Sequence, residues 1–154
     1  LAAHHAELRE ALVEFDRARK MLLELMIEDQ LAYAAFSALQ KLPPDSPERK
    51  SKHPATVLAC IRCPQAMSAA GVAILELANR LVDKTNPFLL SDLAVCAELA
   101  MATVRSGYYN VRVNVKDLPD AAERHRFENE TLALVERATD TIRQTIPRIL
   151  ARQG

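Results

Sequence analysis

Residues 22–36 read LLELMIEDQLAYAAF, and their spacing decides the fold. Leu22, Met26, Tyr33 and Phe36 fall on the three-and-four rhythm that places side chains on one face of an α-helix. Asp29 fills the gap in that rhythm where an apolar residue belongs. The same stripe begins earlier, at Leu8, Leu12 and Phe15. A carboxylate on a core-facing stripe is costly to bury unless something pairs with it. Asp29 is therefore the first candidate for chemistry, with a buried ion pair to another helix as the structural alternative.

Working outward, this helix is predicted from about residue 3 to Leu42, where Pro43-Pro44 stops it. Lys41 falls in its last turn, where the helix dipole favours a cation. The polar segment Pro43–Pro54 reads as a loop. A second helix is predicted from about Pro54 to Asp83, kinked or divided at Pro64, with Met67, Ala70, Ile74, Leu77 and Leu81 on its buried stripe. A third, from about Leu89 to Val115, is apolar nearly all round, as expected of a central helix or one wedged into a subunit interface. Its end, Val111–Val115, alternates like a strand, but an isolated strand would have no partner, so it reads as helix. The last stretch, Pro119 to Leu150, carries a weaker stripe through Phe127, Thr131, Leu134, Ala138, Thr141, Thr145 and Ile149, and Pro147 is expected to disturb its final turns. The expected architecture is all-α: an antiparallel bundle of long helices, forming a homodimer through its apolar faces.

The composition agrees. The 154 residues suffice for one domain, residues 1–154, around a single core. Only 3 are glycine, and alanine and leucine dominate, which favours helix over sheet. Lys plus Arg (20) balances Asp plus Glu (20), so no net field recruits nucleic acid or an anionic membrane. No apolar run reads as long enough to span a bilayer, and no membrane partner is expected. The chain starts at Leu1 already in helical register, which reads as an N-terminally incomplete domain. Three cysteines without disulfide spacing suit a reducing cytoplasm.

Other motifs are less specific. Cys60-Ile61-Arg62-Cys63 is a CxxC, but it lacks both the further ligands of a zinc site and a strand–helix context, so these cysteines read as small core hydrophobes and no metal is expected. Asp92 follows Ser91 where either residue could cap a helix. Asn86 precedes Pro87 as a turn residue does. Asn110 and Asn114 lie one turn apart on a mostly apolar helix, so their amides need a neighbouring backbone or a ligand. There is no glycine-rich phosphate loop, serine elbow or basic aromatic patch.

Four elements in order resemble the cyclodeaminase/cyclohydrolase family. Glu28-Asp29-Gln30-Leu31-Ala32-Tyr33, closed by Lys41-Leu42-Pro43, resembles its glutamate–aspartate segment and basic-Leu-Pro signature. Cys63-Pro64 stands where that family has a mid-helix proline. Residues 84–92, with Asn86-Pro87 and Ser91-Asp92, are similar to its Gly-Asn-Pro, Ser-Asp element, and Asn110–Val115 to its Asn-Val-x-x-Asn helix end. The resemblance runs from about Ile27 to Asp117. Two features depart from it. The family's glycine- and serine-rich start is missing, and Thr85 and Phe88 replace a glycine and a small polar residue.

The resemblance implies an all-helical homodimer that acts on a tetrahydrofolate derivative as substrate, with no separate cofactor. Two reactions are implied: hydrolysis of methenyltetrahydrofolate to formyltetrahydrofolate, or elimination of ammonia from formimidoyltetrahydrofolate. A non-catalytic dimerisation module on the same scaffold is the third reading, favoured by the missing glycine-rich start. In the enzymatic readings Asp29 is the acid/base. Lys41, about 18 Å further along the helix, could meet the substrate's glutamate tail or, in a dimer, the other subunit's Asp29, with a solvated lysine at a helix end as the structural alternative. Asp92 could grip the pterin amino group, and Asn86, Asn110 and Asn114 complete the candidate binding set.

Overall fold

The computed structural model describes residues 4–153. Four long helices follow one another: α1 (His5–Gln40), α2 (Pro47–Leu81), α3 (Leu90–Asn114) and α4 (Ala121–Gln153). Single 3-10 turns at Val82–Lys84, Pro87–Leu89 and Val115–Asp117 join or flank them. No strand occurs among the described residues, and Val111–Asn114 completes α3 as helix.

The starts and stops differ from the expected ones in three places. The second helix begins at Pro47, inside the predicted loop. Ser46 caps it by accepting the Arg49 amide at 3.2 Å, and Pro47 occupies the first turn, where its missing N–H costs nothing. Pro64 does not divide α2, and Pro147 does not end α4, which runs on to Gln153. Helices continue through a proline when other groups satisfy the backbone it frees and neighbouring helices hold both sides.

α2 is the central helix. It packs against all three others, while α4 also packs on α3 and α1 rests mainly on α2. Cys60, Ile61, Cys63, Pro64, Ser68, Ala70, Gly71, Val72, Leu75, Leu77 and Ala78 bury almost every side of it. The sequence assigned all-round apolarity to α3, but α3 leaves Val95, Leu99, Tyr109 and Val113 exposed. Both α2 and α3 contain an 18-residue stretch apolar and charge-poor enough, by length and composition, to cross a membrane, contrary to the expectation above. Half of that stretch is buried within the protein in α2 and a third in α3. Alanine-rich core helices pass the same test because alanine packs closely and adds no charge.

The inward residues of α1 are Leu8, Ala11, Phe15, Ala18, Leu22, Leu25, Asp29, Ala32, Phe36 and Leu39. They alternate steps of three and four, the 3.5-residue repeat of helices packed nearly parallel. Leu12, Met26 and Tyr33, assigned to this stripe from sequence, lie beside it and are exposed. On α3 the matching series is Leu93, Ala97, Ala100, Val104, Gly107, Val111 and Asn114. It lets α3 approach α2 closely. A Cβ on Gly71 would lie 2.8 Å from Val104 Cγ2, and one on Gly107 would overlap both Ser68 Oγ and the Pro64 carbonyl oxygen. Fully buried Ser68 bridges the crossing, its hydroxyl 3.1 Å from the carbonyl oxygens of Pro64 and Val104.

Candidate active site

Two polar residues occupy places on apolar stripes, Asp29 on α1 and Asn114 on α3, and the fold brings them to one cavity. Asp29, Tyr33, Cys60, Asn110, Val113 and Asn114 line a space of about 240 Å³ where α1 and α3 face each other across α2. Asp29 is half-buried. Among the described residues it forms no ion pair and no side-chain hydrogen bond, so the structural alternative of a buried ion pair is not realised. Burial holds its carboxyl above the ordinary value of 3.8, because desolvation penalises the charged form and no cation offsets it. The field of this carboxylate reaches α2. The Cys60 and Cys63 thiols are pushed up, first by burial and then by Asp29.

The far wall is built by a backbone defect. Pro64 has no N–H, so the carbonyl four residues earlier, that of Cys60, loses its helical partner. Asn114 Nδ2 donates to that oxygen at 2.6 Å. Asn110, one turn earlier on α3, is exposed at the cavity mouth. Tyr33, one turn after Asp29, presents an exposed ring there.

The remaining candidates lie elsewhere. Lys41 is exposed at the C-terminal cap of α1 and does not line the cavity. Asn86 caps the short turn after it, its Oδ1 accepting the Phe88 amide at 3.1 Å. Asp92 stands in the first turn of α3, 22 residues and roughly 33 Å along the helix from Asn114. It caps nothing: α3 starts after Leu89 with no side-chain cap, because the preceding 3-10 turn leads directly into the helix. Instead Asp92 edges a separate apolar cavity of about 410 Å³ with Leu22, Ile74, Val95, Cys96, Leu99, Ala100 and Thr103. Asp29, Asn110 and Asn114 therefore converge, while Lys41, Asn86 and Asp92 do not. Tyr33 and Cys60 were not assigned to the site from sequence. Both were legible in principle: Tyr33 follows Asp29 by one turn, and Cys60 precedes Pro64 by the four residues that mark a freed carbonyl.

The fold and the site define an all-helical protein whose cleft holds a half-buried carboxylate, unpaired among the described residues, in one cavity with amide side chains. The chain belongs to the formiminotransferase-cyclodeaminase family, whose description matches residues 1–133. It is 28% identical over 153 residues to formimidoyltransferase-cyclodeaminase of Sus scrofa, covering 97% of this chain and 28% of that protein. It is also 28% identical over 152 residues to methenyltetrahydrofolate cyclohydrolase of Methylorubrum extorquens, covering 92% of this chain and 73% of that protein. The formimidoyltransferase-cyclodeaminase of Gallus gallus is 24% identical over 148 residues, and the chain spans 27% of its length.

Proposed function

We propose that this chain serves folate one-carbon metabolism by hydrolysing the methenyl bridge of methenyltetrahydrofolate. The observation that carries the proposal is the unpaired, half-buried carboxylate of Asp29 in a cavity with Asn110 and Asn114. Family membership supports the substrate class. The methenyl bridge is a cation delocalised over two nitrogens, and a half-buried carboxylate attracts it more strongly than one in open water. Water adds to the bridging carbon while Asp29 accepts its proton. One carbon–nitrogen bond then breaks, its electron pair goes to the departing nitrogen, Asp29 returns the proton there, and the added hydroxyl releases its own proton to solvent as the carbonyl forms. The formyl group stays on the other nitrogen.

The same carboxyl serves ammonia elimination from a formimidoyl group. A substrate amine adds to the formimidoyl carbon, and the amino group leaves as ammonia carrying a proton from Asp29. The relatives from Sus scrofa and Gallus gallus support this second reading. Neither reaction requires a cofactor beyond the folate.

We also infer a homodimer in the cytoplasm. Leu12, Met26, Ile27 and Leu31 on α1, with Val95 and Leu99 on α3, leave more apolar surface exposed than isolated positions would. The cysteines are free thiols, as a reducing compartment keeps them. The test is turnover: the protein is offered methenyltetrahydrofolate and formimidoyltetrahydrofolate separately, with methenyl absorbance and released ammonia followed. Conversion of either supports the folate assignment and identifies the reaction. Conversion of neither overturns it.

A further inference from the structure

The hydrogen bond between Asn114 and Cys60 links a helix defect to the polarity of the cavity. An interior proline in a buried helix would ordinarily be destabilising, since it removes a backbone hydrogen bond and crowds the carbonyl four residues back. Here that carbonyl, Cys60 O, receives Asn114 Nδ2 from α3 at 2.6 Å. A carbonyl oxygen only accepts, so the nitrogen of the Asn114 amide must face it. The amide is thereby held in one of its two flips. Its Oδ1 has no protein partner among the described residues and is not sealed away from solvent. It is left as an acceptor in the cavity that Asp29 also lines.

We infer that Pro64 is a positioning residue: by withholding its N–H it reserves Cys60 O for Asn114, and so fixes the Asn114 oxygen as the acceptor for a polar hydrogen of the ligand. The role of that acceptor in turnover rests on the folate reading above. The orientation itself does not. Without the proline, an N–H at position 64 would bond Cys60 O in ordinary helical fashion and compete with Asn114. Sharing that oxygen would weaken the Asn114 bond, so the amide would be held less firmly and would present a donor to the cavity part of the time. Gly107 cooperates by letting α3 lie against the Pro64 carbonyl, two helical turns before Asn114.

Two measurements test this. In the ligand-free protein, the Asn114 side-chain amide protons are followed by NMR in wild type and Pro64→Ala. Alanine suits a helix better than proline, so the variant is expected to fold. Wild type should show one amide proton shifted downfield and slow to exchange, and Pro64→Ala should lose both features. Unchanged shift and exchange in the variant overturn the inference, whether or not folate is the substrate. The second measurement is kcat/KM for Pro64→Ala, Asn114→Ala and the double variant. Pro64→Ala should cost about tenfold or more in the wild-type background and less than about twofold once Asn114 is alanine. Equal losses in both backgrounds would make Pro64 merely structural and overturn the positioning role.

Discussion

The α2–α3 crossing offers a graded test of how the site is held. Gly71 and Gly107 both face the partner helix, but a methyl group meets different neighbours at each. At position 71 it would lie 2.8 Å from a methyl of fully buried Val104 and 3.0 Å from the Ala100 carbonyl oxygen, so a neighbour must shift there too, by less than at position 107. At position 107 it would overlap the Pro64 carbonyl oxygen, which is backbone, and the fully buried Ser68 hydroxyl. Overpacking costs typically 1–3 kcal/mol, roughly its upper end for a backbone clash. Displacing Ser68 from its carbonyl partners adds about 1 kcal/mol. Replacing a helical glycine by alanine returns about 1 kcal/mol. Gly107→Ala should therefore lose about 3 kcal/mol, and Gly71→Ala less, about 1–2 kcal/mol. Urea unfolding followed by far-ultraviolet circular dichroism gives both numbers. A Gly107→Ala protein within about 0.5 kcal/mol of wild type, or one more stable than Gly71→Ala, would refute the packing argument.

Three further outcomes follow from the same geometry. Ile61 is completely buried beside Val57, Val111 and Phe127, so Ile61→Ala should cost about 2–5 kcal/mol in the same assay. The desolvated carboxyl of Asp29 gives a pH dependence with a definite sign. Its folded-state pKa lies above the ordinary 3.8, so between those two values the folded chain holds more protons than the unfolded one. Its contribution to stability therefore falls as pH rises through that window, and Asp29→Asn should be the more stable protein above the window and gain nothing below it. Thermal melts of the two proteins across that range measure the difference. Arg148 ties α4 to the end of α2 through the Asn79 carbonyl and side chain and Asp83. Half-exposed as it is, Arg148→Ala should cost only about 1 kcal/mol by urea unfolding.

Much of the fold was legible in the sequence because long helices announce themselves by period. The α4 stripe from Phe127 to Ile149 is the observed one. The errors share a cause. A helix pattern gives a face without saying what covers it, so it puts Leu12, Met26 and Tyr33 on a stripe whose edge α2 leaves exposed. The same pattern reads α3 as either central or wedged in a subunit interface, and it is α2 that packs against all three other helices. The sequence places Pro54 at a loop boundary, lets Pro64 kink or divide a helix and Pro147 disturb one, and the helices run on through all three. In the site, Asp29 was legible as a polar residue in an apolar register, and Asn114 as an amide in need of a partner. That the partner is the carbonyl freed by Pro64 depends on the crossing of α2 and α3, which no local pattern encodes. Lys41 stands far along α1 from Asp29, as its place in the sequence requires, while Asn86 and Asp92 fold to another part of the bundle.

The central claim is that the Asp29 carboxyl moves the proton in turnover. Asp29→Asn keeps the side chain's shape and removes its charge, so the single-turnover rate on methenyltetrahydrofolate, compared with wild type on proteins of matched helicity, tests it most directly. The account predicts a loss of about 10²–10⁴-fold with the fold intact. A variant that turns over at the wild-type rate would contradict it.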